Sequence, residues 1–250
     1  MKRLLSKFGL AAAVKEAPHL VETHSPDVNG AELSVAYFSG REGGDFYEFV
    51  RVAPYRLLFG LLDVAGKRDD GRPILAAAQA TFRAAGAELL SDSELNESDA
   101  MVELSRRLNL AIMQAAGGVR SCPAFAGCYN EELGTVCYVN AGHTPGLLGD
   151  HASTVELPAT GLPFGLFSLA PTDARTVGLG RESYLAVVSR GVVEAQCRDE
   201  EFGLDGVKQV MKTKSSATDL ARGILEQVQS FMCTYPKHND VTVLTLRRAH

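Results

Sequence analysis

Two aspartates 18 residues apart are the first residues in this chain whose type and setting suggest chemistry: Asp45 and Asp63. They bracket the run Arg41 to Lys67, which reads as two strands joined by a corner at Ala53-Pro54. Phe46, Phe49, Val50 and Val52 belong to the first strand and Tyr55 to Leu62 to the second. Antiparallel neighbours bring the start of one strand beside the end of the next. Asp45 opens the first strand and Asp63 closes the second, so the two carboxylates should meet at one sheet edge. Glycines flank both, Gly43-Gly44 on one side and Gly66 on the other. Carboxylates converging among glycines suit a hard cation with carboxylate, backbone carbonyl and water ligands. Either aspartate alone would read as an ordinary strand-end turn residue; the pair at this spacing points to a site.

The elements that must carry this edge follow from periodicity. Residues 1–30 form an expected N-terminal amphipathic helix and extended lead-in, and Ala31 to Phe38 alternates as a strand. Arg68 to Arg72 is a charged run expected to be a solvated loop, with Pro73 placed to begin a helix over Ile74 to Leu90. A second helix is expected from an N-cap at about Ser98 to Ala116, with Met101, Leu104, Leu108 and Ile112 as its inner stripe and Gly117-Gly118 as its stop. Strands return at Pro123 to Tyr129 and Thr135 to Asn140. Further segments run to Tyr184–Val188, which ends at Ser189-Arg190-Gly191. Helices over Val207–Lys212 and Ala217–Tyr235 precede a last strand, Val241 to Leu246, entered through Asn239-Asp240. Segregated runs of strands and helices indicate an α+β layered fold, with residues 31–250 as a single domain.

Composition narrows the function classes. Apolar residues make up 46% of the 250, enough for a sizeable core. The balance of 25 Lys plus Arg against 30 Asp plus Glu lacks the basic excess of a nucleic-acid binder. No apolar run approaches a membrane span, and Lys7 and Lys15 interrupt the one near the N-terminus. The five cysteines are scattered with no C-x-x-C, and Cys122, Cys128 and Cys137 fall in strand-like segments as small buried hydrophobes. That pattern suits a reducing cytoplasm.

Eight segments in order now carry a resemblance: G-G-D-F-Y-E-F, L-D-V-A-G-K, L-N-L, Y-V-N-A-G-H-T-P, T-G-L-P-F-G, S-R-G-V-V-E-A, E-F-G and N-D-V-T-V-L. Over roughly residues 30 to 248 the chain resembles the PPM family of metal-dependent Ser/Thr protein phosphatases, in its SpoIIE-like bacterial branch. The resemblance implies a four-layer α-β-β-α sandwich of two antiparallel sheets. It also implies two divalent ions, Mn2+ or Mg2+, held by carboxylates, with a water between them attacking phosphoserine or phosphothreonine. On that match Asp45 is the G-G-D aspartate, Asp63 the bridging aspartate and the Val64 carbonyl the neighbouring backbone ligand. The branch implies phosphorylated bacterial signalling proteins as substrates, such as anti-sigma-factor antagonists. The stretch before Ala31 is too short for the sensor domain that often precedes this branch, so input is expected from a partner or the N-terminal helix.

Two departures matter. Where the family carries T-D-G this chain has Ser189-Arg190-Gly191, and where the family carries D-D-x-T or D-N-x-T it has Asn239-Asp240-Val241-Thr242. Two of four ligand carboxylates are missing, and one has become a cation. A guanidinium ~4 Å from a divalent ion at an effective dielectric of ~20 is repelled by roughly 8 kcal/mol, which opposes an ion there even when discounted severalfold. Arg190 is expected to pair with Asp63 instead, leaving one weakly held ion or none. Asp240 should face away from Asn239, because side chains alternate along a strand, and so should not replace it. The expected outcome is a phosphatase domain of reduced or abolished activity, or a pseudophosphatase that binds a partner or phosphopeptide.

Other candidates carry plainer readings. Gly43-Gly44-Asp45 lacks the Glu-Phe that follows directly in a diguanylate cyclase signature. His143 lies in a Gly-Pro turn, where a ring nitrogen bonded to loop backbone is the expected role. Asn109 is expected to make a satisfied polar contact on the inner side of its helix. Glu194 is placed to pair with Arg190 or to stay solvated. Gly44, Gly66, His143, Gly191 and Asp240 are supporting loop positions.

Overall fold

A computed structural model describes residues 21–24, 28–38, 44–64, 68–213, 215–233 and 239–249. The expected N-terminal helix and Gly66 lie outside the described residues. The lead-in contributes a short strand, β1 (Val21–His24).

Two antiparallel sheets are built from the remaining strands. One has five strands. β3 (Asp45–Ala53), β4 (Arg56–Asp63), β5 (Ala124–Asn130), β6 (Thr135–Ala141) and β9 (Arg175–Gly178) lie in that order. The other has six: β1, β2 (Ala31–Phe38), β13 (Val241–Arg248), β10 (Tyr184–Val188), β7 (Gly146–Gly149) and β8 (Thr154–Leu157). A two-stranded ribbon, β11 (Gln196–Cys197) with β12 (Glu200–Glu201), stands apart.

Alternation along each strand sorts side chains into three cores. In β4, Leu58 and Leu62 face helices α1 (Arg68–Leu90) and α2 (Glu97–Ala116), while Leu57, Phe59 and Leu61 face the other sheet. In β13, Leu244 and Leu246 face back across the interior. Val241 and Val243 face α4 (Gly203–Met211) and α5 (Ala217–Phe231). The result is helix, sheet, sheet, helix, the α+β four-layer sandwich expected. Each Leu or Phe buried in the middle layer contributes about 1.5–3 kcal/mol, so β4 and β13 are fixed in depth and register.

Gly127 illustrates how tightly side chains fill the inner face of the five-stranded sheet. A Cβ there would stand 2.4 Å from Cζ of Phe59, on the neighbouring strand. The space beside the glycine is filled by that ring.

Several boundaries differ from the sequence reading; α4 begins at Gly203, four residues before the expected Val207, and β13 runs on to Arg248. Arg68 to Arg72 is the first turn of α1, with Pro73 inside the helix. Pro73 forfeits only one early hydrogen bond, and an acid such as Asp70 near the start suits the helix dipole. The N-cap of α2 is Asn96, whose Oδ1 accepts from the Ser98 and Asp99 amides at 3.0 and 3.4 Å. Asparagine caps as well as serine, and two candidates two residues apart leave the choice to local geometry. α5 stops at Phe231, short of Tyr235. Gly117 ends α2 in the left-handed conformation, φ 61°, as its type requires.

Gly127→Ala should destabilise the protein by about 1–3 kcal/mol through overpacking against Phe59, read as a fall in the thermal midpoint. An unchanged midpoint would contradict this description of the middle layer.

Candidate functional site

The register of β3 with β4 places Asp45 directly opposite Asp63. At the same end, β10 finishes and β13 begins, so Ser189 and Thr242 face the aspartate pair from the other sheet. The Thr242 hydroxyl donates to Asp45 Oδ2 at 2.6 Å. The Ser189 hydroxyl accepts from the Thr242 amide at 3.0 Å and is 3.2 Å from the Asp240 carbonyl. The Gly44 carbonyl accepts from the Val64 amide at 3.3 Å, which ties the two glycine-flanked ends together.

Asp240 corrects the sequence reading. It does face away from Asn239, but the opposite face is the one that carries Thr242 and looks onto Asp45. Its Oδ2 accepts from the Asp45 amide at 3.2 Å, and the residue is 3% exposed. Asn239 turns the other way and donates to Glu194 Oε2 at 3.2 Å. Gly191 enforces this arrangement: a Cβ there would stand 2.1 Å from the Asp240 carbonyl, so only glycine lets the Arg190 turn lie on the Asp240 backbone.

Three carboxylates are thus crowded at one edge. Burial pushes the Asp45 carboxyl well above its ordinary range, and the charges of Asp63 and Asp240 add to the rise. The Thr242 and Ser189 hydroxyls pull it back. Asp63 is also raised, first by burial and then by Asp240, against the opposing pull of Arg190. The counter-charge is Arg190, in the short helix α3 (Arg190–Val193). Its Nε lies 3.3 Å from Asp63 Oδ2 and 3.8 Å from Glu194 Oε2. The Nε lacks an aligned hydrogen bond, so this is an ion pair held by charge. The Arg190 side chain keeps 42% of its surface exposed.

As arranged, each of the three carboxylates already has a partner within the fold. Asp45 is engaged by Thr242, Asp63 by Arg190, and Asp240 by the Asp45 backbone. Among the described residues no three His, Cys, Asp or Glu side chains are grouped to hold a metal. Four carboxylates would balance two divalent ions; here three carboxylates face a guanidinium.

His143 borders the same edge and is 6% exposed. Its amide donates to Asn140 Oδ1 at 2.8 Å, and Nδ1 lies 3.0 Å from the Thr144 hydroxyl and 3.2 Å from the Thr144 carbonyl. That hydroxyl gives its one proton to the Val188 carbonyl. It can only accept from His143, so Nδ1 carries the proton and Nε2 is a bare acceptor, buried without a partner. Burial pushes the imidazole pKa down to about 4, with the Arg190 charge adding to the fall. Farther away, Asn109 pins the loop before β9: its Nδ2 donates to the Phe167 carbonyl and its Oδ1 accepts from the Gly165 amide, both at 2.8 Å.

The sequence reading brought together Asp45, Asp63, Val64, Arg190 and Gly44. It gave no role to Ser189 or Thr242, although both stand inside the motifs that carried the resemblance. A hydroxyl two residues after Asp240, on the same strand face, was the available signal.

The depressed His143 pKa has a pH consequence. Between pH 6.5 and about 4 the unfolded chain binds a proton that the folded one refuses. This contribution to stability is complete above pH 6.5 and is lost as pH falls, by about 3 kcal/mol over the window. Denaturant midpoints should fall more steeply over that range for wild type than for His143→Gln; equal slopes would mean the ring is protonated in the fold.

The family model for Stage II sporulation protein E (SpoIIE) matches residues 53–249. A comparison with curated protein sequences finds no match. Among solved structures, the fold is similar to the RsbU and RsbW domains of Rv1364c from Mycobacterium tuberculosis. That match has a TM-score of 0.70 and 21% identity over 90% of this chain and 61% of that one. It is similar to the PP2C phosphatase domain, with a fragment of the regulatory domain, of SpoIIE from Bacillus subtilis. There the TM-score is 0.65, with 14% identity over 88% and 64% of the two chains. It is also similar to RsbX in complex with magnesium, at a TM-score of 0.63 and 14% identity over 91% and 98%. The chain spans less than two thirds of the length of the first two, 61% and 64%. With the family model covering most of the sequence, the chain belongs to the Stage II sporulation protein E (SpoIIE) family, and its two-sheet sandwich has the fold of PP2C-type structures.

Proposed function

We propose that this domain recognises phosphoserine- or phosphothreonine-bearing signalling proteins and that ordinary two-metal hydrolysis in it is reduced or abolished. The observation that carries the reading is the Arg190 guanidinium 3.3 Å from Asp63. Arginine stays charged at any physiological pH, so unlike a carboxylate ligand it cannot adapt to an arriving dication. Asn239 is drawn to Glu194 and adds no charge.

Asp45, Asp63 and the Val64 carbonyl remain as donors for Mn2+ or Mg2+, and the likeness to a magnesium complex of RsbX supports that class of ion. Bound there, a divalent ion would polarise water and phosphoryl oxygens. The present residues favour one weakly held ion or none. Asp240 and the Thr242 hydroxyl fix Asp45, Arg190 neutralises Asp63, and Glu194 with Asn239 steadies Arg190.

A second reading, a pseudophosphatase that binds its partner without turnover, is favoured by the exposed part of Arg190. It offers a permanent cation where a phosphoryl group would enter. By analogy with the family branch, the partner is a phosphorylated anti-sigma-factor antagonist or a similar regulator. The similarity to a protein with RsbU and RsbW domains supports that class. No described helix is long and apolar enough to cross a membrane, and a cytoplasmic setting is part of this proposal.

Hydrolysis of a small aryl phosphate with manganese tests the reading. Wild type should turn over near background. Arg190→Asp combined with Asn239→Asp should raise the rate about tenfold or more, equivalent to ~1.4 kcal/mol of barrier. Robust wild-type turnover that disappears in Asp63→Ala would overturn it.

A further inference from the structure

Cys197 and Cys233 are 36 residues apart in sequence, yet their Cα atoms lie 4.8 Å apart and their sulfurs are bonded. The sequence reading had treated the cysteines as scattered and unpaired, since nothing in their spacing signals this pair. Cys122, Cys128 and Cys137 are different: all three are free and buried, and burial pushes the Cys122 thiol up to about 12. Cys233 is exposed and Cys197 half-buried, so the bond is within reach of small thiols.

Its placement gives it meaning. Cys197 stands three residues after Glu194, and Cys233 six before Asn239. The covalent bond and the polar chain from Asn239 through Glu194 to Arg190 join the same two stretches of backbone. The two are also joined without it. Phe202 donates its amide to the Ala195 carbonyl at 2.9 Å, and its ring meets Phe231 edge-on at 5.6 Å. Breaking the bond therefore leaves the ribbon docked and loosens only its tether. A disulfide that small thiols can reach, and beside which other contacts hold the same segments, is open to reversible thiol exchange.

We propose that Cys197 and Cys233 form a reversible redox-modification site that sets how firmly Asn239 and Glu194 hold Arg190 over Asp63. The functional meaning rests on reading Arg190 as the group in the metal seat; the thiol chemistry does not. The oxidant is a disulfide of the low-molecular-weight thiol class. The Cys233 thiol loses its proton and its sulfur attacks that disulfide, giving a mixed disulfide and one released thiol. Cys197 then attacks the Cys233 sulfur and expels the second. Two cysteine thiols are oxidised, one small disulfide is reduced to two thiols, and the proton of each cysteine leaves on a released thiol.

The test uses the whole chain equilibrated in glutathione buffers from fully reduced to fully oxidised. Native-state alkylation read by mass should label two more thiols in the reduced protein than in the oxidised one. Hydrogen exchange at residues 190–197 and 239–242 should be about fivefold or more faster when reduced. The Cys197→Ser, Cys233→Ser double variant should exchange at the reduced rate in both buffers. Failure of the pair to form at any glutathione ratio, or equal exchange in the two states, overturns the proposal. If the redox response is seen but Arg190→Asp with Asn239→Asp restores no hydrolysis, the redox site stands and the reading of the metal seat fails.

Discussion

Negative charge crowded at one sheet edge is the constraint on which this site depends. Antiparallel pairing sets Asp45 opposite Asp63, and the start of β13 adds Asp240. Carboxylates so placed and desolvated repel one another, which is why Asp45 and Asp63 both hold their protons more tightly than usual. Such an edge is relieved by protonation or by a cation beside it. On the proposed reading the cation is built into the chain, as Arg190.

The sandwich explains how this exchange is accommodated. Four strand ends meet at the edge, three of them, β4, β10 and β13, fixed by buried hydrophobic runs, so small side chains there do the positioning. Ser189 and Thr242 are fully buried hydroxyls that lock β10 to β13 and reach Asp45. Gly191 allows the Arg190 turn to rest on the Asp240 carbonyl. An arginine at position 190 is then held close to Asp63 by backbone geometry as well as by charge. Glu194, one helical turn on, steadies it and engages Asn239.

Much of this was legible in the sequence, for identifiable reasons. Strands buried on both faces, such as Arg56–Asp63, show long apolar runs bounded by turn residues, and ordered motifs identified the family and its sandwich. The Asp45–Asp63 encounter followed from strand direction alone. The contact of Asp240 with Asp45 was not legible because alternation gives two faces but does not say which one looks at the site; that depends on how the second sheet lies over the first. The first turn of α1 was missed because a charged run before a proline also reads as a loop. The Cys197–Cys233 pair was invisible because contacts between distant segments leave no spacing signal.

The most direct test of the central claim is anomalous scattering from crystals soaked in manganese. The account predicts at most one partly occupied ion near Asp63 and the Val64 carbonyl, with Arg190 still in ion-pair contact with Asp63. Two fully occupied ions at the aspartates, with Arg190 swung out to solvent, would contradict it.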